Sequence, residues 1–219
     1  MSLLPEAPEI AARIVPNADA LKTLAAYGEF LAGAGVERGL IGPREVPRLW
    51  ERHLLNCAVA AELVPGGAQV IDVGSGAGLP GLVWVIVRPD LRVICLEPLQ
   101  RRTTFLEEAI HKLALDGRAE VVRARAEDVA RGRGPVTSLR AGVVTARAVA
   151  ALDKLATWTV PLLEPGGVLL ALKGRSAPEE IEAARETLSR LGVDEVDIVE
   201  SGVGEIDPPT TVVRAWRAR

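Results

Sequence analysis

From residue 69 onward the chain alternates between short runs of β-branched residues and amphipathic segments, and this alternation limits the fold more than any other feature. "QVIDV" (69–73), "RVICLE" (92–97), "AEVVRA" (119–124), "AGVVTARA" (141–148) and "GVLLALKG" (167–174) read as buried strands. Helical segments separate most of them: one from Pro80, then "LQRRTTFLEEAIHKLAL", "LDKLATWTVPLL" and "PEEIEAARETLSRLG". "AEVVRA" and "AGVVTARA" follow one another with no helix between, and "EPGG" (164–167) reads as a turn. Strand and helix repeating at this period predict an α/β fold with a mostly parallel sheet covered on both faces. "VDEVDIVES" and "TTVVRAWRA" close the chain across a short loop of glycines and prolines, which makes seven strands with an antiparallel hairpin at the C-terminal edge.

Residues 1–64 show helical periodicity only, so they form an N-terminal helical extension ahead of a sheet domain at 65–219. In "ADALKTLAAYGEFLAGAG" the residues Leu21, Leu24, Ala25 and Gly28 or Leu31 share one stripe. The next helix starts near Val46, because Pro47 fits only a first turn, and it turns Trp50, Leu54, Cys57 and Ala61 inward.

Four Trp, two Phe and one Tyr leave few rings for stacking bases, so a grip on nucleic acid would rest on charge. The net charge of −3 excludes a uniformly basic coat. Charge is nonetheless segregated: residues 101–150 carry ten Lys or Arg against six Asp or Glu, and residues 176–200 carry two against eight. Such runs are also ordinary solvated helix surface. Cys57 and Cys95 fall in apolar stretches and read as buried thiols; with two histidines in the chain, a metal site is not expected. The first residues lack a basic and then apolar leader, and no run of 18 apolar residues occurs, so a cytoplasmic protein away from membranes is expected; a monomer is the default, which nothing in the sequence decides.

The loop "IDVGSGAGLPG" after the first strand fits two registers. Gly76-x-Gly78-x-x-Gly81 matches a dinucleotide fingerprint, whereas Asp72-x-Gly74-x-Gly76-x-Gly78 matches an acid followed by the G-x-G-x-G loop of S-adenosylmethionine sites. A turn that merely closes a strand–helix corner is the plain alternative. Asp72, in the last turn of the strand, can address the loop or, through water, the cationic end of a methyl donor; beside a pyrophosphate its charge is unhelpful. Glu97 ends the second strand 19 residues after Gly78, where a carboxylate can accept both ribose hydroxyls of either ligand. Ala126 and Glu127, in "RAED", are placed to hydrogen-bond an adenine edge.

"RHLLNC", "IDVGSGAGLPG", "RRTTFL", "RAED", "TARA" and "LKG" stand in an order and spacing that resembles the bacterial small-subunit ribosomal RNA guanine-N7 methyltransferases, also called the glucose-inhibited division protein B family, from about residue 20. The resemblance implies a Rossmann-like methyltransferase fold, S-adenosyl-L-methionine as donor, and as acceptor N7 of a guanine near the decoding site, in small-subunit ribosomal RNA or the 30S subunit. It implies donor contacts at Gly74, Leu79, Ala126, Glu127 and Arg147. The chain departs from the family pattern in "VERGLIGPRE", where an aromatic and asparagine-rich segment is usual, and in Asn56-Cys57, where Asp-Ser is usual.

Methylation at N7 removes no proton, so no general base or catalytic residue is required and rate comes from positioning. "TARA" stands where exocyclic-amine methyltransferases carry Asn-Pro-Pro. Arg147 there can donate to guanine O6 or a phosphate, or can pair with Glu127 or Asp128. Arg101 and Arg102 open a helix, against its dipole and without a carboxylate at i+3 or i+4, which suggests phosphate contact or an unseen tertiary acid. In contrast, Glu108 and Lys112 read as a helical pair. Arg48 and Arg52, on the outer side of the second helix, and Lys173, at the end of the fifth strand, complete the RNA candidates. His53 lies on the apolar stripe and reads as a hydrogen-bonded core histidine. Two other functions fit the same residues: methyl transfer to a small molecule or protein, and a ribosome-associated factor that binds the donor without turnover.

Overall fold

The computed structural model describes residues 3–133, 136 and 139–219. Helices α1 (Ala11–Ile14) and α2 (Ala18–Phe30) come first, and Asn17 caps α2 by accepting from the backbone of Asp19 and Ala20. α2 runs on into a wider π-type turn, Leu31–Gly35. A 3-10 turn, Pro43–Arg48, accommodates Pro47 and begins three residues earlier than the sequence predicts. It leads through a second π-type stretch, Trp50–Leu55, into α3 (Asn56–Ala60). Trp50, Leu54, Cys57 and Ala61 are all buried, as their stripe requires, and so are Leu24, Gly28 and Leu31 of the first stripe.

Strands β1 (Gln69–Val73), β2 (Arg92–Leu96), β3 (Ala119–Val122), β4 (Ala141–Arg147), β5 (Leu163–Leu172), β6 (Val193–Ser201) and β7 (Thr210–Arg217) form one sheet in the order β3-β2-β1-β4-β5-β7-β6. The first five are parallel, and β7 runs antiparallel between β5 and β6. β5 takes in "EPGG", expected as a turn. The connecting helices are α4 (Gly81–Val87), α5 (Gln100–Lys112), α6 (Ala126–Ala130), α7 (Leu152–Thr159) and α8 (Ala177–Arg190). α6 falls where the sequence predicts no helix, because five residues are too few to show a period.

Successive strand residues face opposite ways and feed two cores. Val70, Val93, Val143 and Leu170 pack with α4, α5 and the buried residues of the extension. Ile71, Ile94, Val144 and Leu169 pack with α6, α7 and α8. The extension is stitched to the sheet side by Trp84, whose indole N–H donates to the Cys57 carbonyl at 2.8 Å. Glu108 does not pair with Lys112 as expected: it binds Arg38 at 2.7 Å, and Lys112 lies over the Phe30 ring. No helix among the described residues is long and apolar enough to cross a membrane.

Candidate active site

The glycine loop leaves the C-terminal end of β1 with Gly74, Gly76 and Gly78 all in the left-handed region, at φ 68°, 58° and 95°. Their surroundings differ. A Cβ built on Gly78 would stand 2.6 Å from Leu82 Cδ1 and 2.8 Å from the Tyr27 hydroxyl, and one on Gly74 would stand 3.0 Å from Val149 Cγ2. On Gly76 the nearest neighbour is the Gly74 carbonyl at 3.7 Å, so this position alone of the three opens onto free space. Leu79, at the end of the loop, is half-buried.

Asp72 lies beneath the loop with no exposed surface and accepts from the Gly81 N–H at 3.1 Å. It therefore addresses the loop itself. Gly81 must be glycine, because a Cβ there would fall 2.7 Å from Asp72 Oδ2. Burial pushes the Asp72 carboxyl up to about 7, with a smaller push from Glu97, against the opposing Gly81 N–H, Ser75 and Arg147. Its Oδ1 is buried and has no hydrogen-bond partner among the described residues.

Glu97 is also buried, and its two oxygens are held by backbone: Oε2 accepts from Gly76 N–H at 3.0 Å and Oε1 from Leu99 N–H at 3.1 Å. The carboxylate thus sits against the one open glycine. The Arg102 guanidinium lies 3.6 Å from Glu97, so the arginine expected to lack a partner has the tertiary acid offered as the alternative. Arg101 is exposed, with no partner among the described residues. Ala126 and Glu127 open α6 just after β3, whose Val122 carbonyl accepts from Glu97 N–H at 3.1 Å; Ala126 is buried and Glu127 half-buried.

Beside the loop runs a groove of about 820 Å³. Arg48, Arg52 and Asn56 of the extension form one wall, with Arg147 and Val149 at the end of β4, Lys173 at the end of β5, and residues 207–211, which lead into and begin β7, around it. Val149 faces the groove and abuts Gly74, so groove and loop share a wall. The structure thereby gathers Arg48, Arg52, Lys173 and Arg147 in one place and leaves Arg101 and Arg102 on α5, away from them.

Arg147 does not pair with Glu127 or Asp128. Its guanidinium crosses to the extension and donates to Cys57 Sγ, the Arg52 carbonyl and His53 Nδ1. Burial raises the Cys57 thiol, and Arg147 partly offsets this. Lys173 is largely buried and donates to Glu180 and to the Ala150 carbonyl, each at 2.7 Å. It ties β5 to the segment before α7, as a lysine closing a strand end does. Arg52 is paired with Glu45 at 3.0 Å, which leaves Arg48 the less encumbered of the two. Tyr27, not considered from the sequence, donates its hydroxyl to the Ala77 carbonyl of the loop at 2.5 Å.

The family model described as rRNA small subunit methyltransferase G matches residues 20–206. The chain is 56% identical over 213 residues to the ribosomal RNA small subunit methyltransferase G of Streptomyces avermitilis, covering 96% of this chain and 85% of that protein. It is 59% identical over 188 residues to the protein of the same description from Thermobifida fusca, covering 86% and 76%. Among solved structures, an O-methyltransferase family protein from Burkholderia thailandensis superposes with a TM-score of 0.57 at 17% identity, over 89% of this chain and 62% of that one. A methyltransferase from Pyrococcus furiosus gives 0.56 at 13% identity, over 77% and 86%. At such identities the two structures speak to the fold.

Proposed function

The chain belongs to the rRNA small subunit methyltransferase G family, and from that premise we propose that it transfers a methyl group from S-adenosyl-L-methionine to N7 of a guanine in small-subunit ribosomal RNA. The observation that carries this reading is the pairing of an open main-chain position, Gly76, with a buried carboxylate, Glu97, at its N–H. A nucleoside with ribose hydroxyls suits that pairing, because the acid can accept from the hydroxyls while the Gly76 N–H, already given to Glu97, is not free for a phosphate oxygen. The missing Cβ at Gly76 also fits such a donor.

Gly74, Gly76, Gly78, Leu79, Glu97, Ala126 and Glu127 would hold the donor, with Asp72 supporting the loop from below. When bound, the donor supplies an electrophilic methyl group on a sulfonium centre. The chain's own part is placement. N7 already carries a lone pair, so the groove must seat the guanine and Arg147 must orient it by donating to O6 or a neighbouring phosphate. Alignment of this kind contributes up to roughly 7–11 kcal/mol to lowering a barrier. Arg48 and Arg52 at the groove wall supply positive charge for the RNA backbone. The substrate is the RNA or the assembled subunit, and the compartment is the cytoplasm.

Labelled S-adenosyl-L-methionine, incubated with the protein and small subunits that lack the modification, tests the reading. Label mapped to N7 of one guanine is the expected result. Absence of transfer to any ribosomal particle or RNA overturns it.

A further inference from the structure

Arg147 ends β4, yet among the described residues every acceptor its guanidinium meets comes from residues 52–57 of the extension. Nη2 donates to the Arg52 carbonyl at 3.1 Å and to His53 Nδ1 at 2.8 Å, while Nη1 donates to Cys57 Sγ at 3.1 Å. An arginine cannot accept, so Nδ1 must, and the His53 ring is neutral with its proton on Nε2. Nε2 lies 2.8 Å from Glu45 Oε2 and donates to it. Burial favours the neutral ring, as does Arg147, whereas the hydrogen bond to Glu45 works against it. The charged groups facing His53 are Glu45 and Arg52 of the extension and Arg147 of β4.

Two further features make this chain of contacts more than packing. Nη2 is saturated, but Nε–H and one N–H of Nη1 meet no acceptor among the described residues, and Arg147 lines the groove. The next residue, Ala148, holds φ at 54°, a left-handed conformation that costs a residue with a Cβ roughly 1–2 kcal/mol. That bend carries Val149 to Gly74. Residues 147–149 therefore touch His53 at one end and the donor loop at the other.

We infer that His53, oriented by Glu45, is a positioning residue for methyl transfer: it holds the Arg147 guanidinium in the groove wall so that the unused N–H donors meet the acceptor nucleotide. The assignment rests on the methyl-transfer reading above. It makes the extension part of the reaction centre, because the acceptor that steers Arg147 lies 94 residues away in sequence.

Single-turnover transfer to unmodified small subunits, with donor affinity by calorimetry, tests it. His53→Leu removes the acceptor and should lower the saturating transfer rate at least tenfold while changing donor Kd less than twofold. His53→Asn, whose Oδ1 stands near the place of Nδ1, should recover most of the loss. In an Arg147→Met background His53→Leu should have no further effect. Equal impairment of the Leu and Asn variants, or losses that multiply with Arg147→Met, overturns the inference. If His53→Leu does not fold, Glu45→Gln reports instead: a smaller rate loss that vanishes in the Arg147→Met background supports the assignment, and one that persists overturns it. Wild-type activity insensitive to these changes defeats the inference alone. Wild-type protein that transfers no methyl group defeats the parent reading, and the inference with it.

Discussion

The hydroxyl of Tyr27, in the extension, donates to the carbonyl of Ala77, in the glycine loop, and neither residue is exposed. Burial holds the phenol well above its ordinary pKa, so it stays a donor at every working pH. Tyr27→Phe keeps the ring and strands a buried carbonyl, which costs about 1–3 kcal/mol. Urea unfolding should show that loss, and calorimetry should show weaker S-adenosyl-L-methionine binding, because the loop loses its tie to α2. Unchanged donor affinity would detach the extension from the loop.

Gly76 and Gly78 should respond differently to the same change. Gly78→Ala drives a methyl group into Leu82 and Tyr27 and should destabilise the fold by roughly 1–3 kcal/mol. Gly76→Ala meets no protein atom closer than 3.7 Å, so its stability cost is the left-handed strain of roughly 1–2 kcal/mol. Donor affinity should fall most with Gly76→Val, which fills the open side. Thermal melts beside calorimetry separate the two effects.

Asp72 should make stability fall as pH rises. Its folded pKa of about 7 lies above its unfolded value, so between about pH 4 and 7 the folded protein holds a proton that the unfolded chain releases. The native state thus loses stability across that window. Asp72→Asn keeps an acceptor for the Gly81 N–H and removes the titration. The two proteins should be closest in stability below pH 4, and the variant should gain on the order of a few kcal/mol relative to wild type by pH 8. Parallel pH profiles in chemical denaturation would contradict the assignment.

Lys173 and Arg48 line the same groove but should fail in different assays. Lys173→Met leaves the Glu180 carboxylate, among the described residues, with Ser176 and the Leu152 N–H, and should cost about 2 kcal/mol of stability. Burial opposes ionisation of Glu180, but Lys173, Ser176 and that N–H together hold its pKa below the usual range, so the loss should be present at neutral pH and fade in acid. Arg48→Ala should leave stability unchanged and reduce the salt dependence of RNA binding by about one unit of slope. Fluorescence anisotropy across a salt series reads the second effect, and urea unfolding the first.

The strands, their parallel order of appearance and the glycine loop were legible in the chain because each is a local matter. The short β-branched run "QVIDV", glycines at 74, 76 and 78 and an acid closing β2 are written in residues a few positions apart. The five-residue α6 was not legible, since a single helical turn has no period to read. Partner choice was not legible either. Arg102 found Glu97, Lys173 found Glu180, and Arg147 took His53 rather than Glu127 or Asp128. A long flexible cation takes whichever acceptor the packed backbone brings within reach, and composition cannot say which that is. Periodicity and backbone stereochemistry thus specified the sheet and the ligand loop, whereas packing of the extension against β4 chose the side chains that face the groove, because those contacts exist only once distant segments share one core.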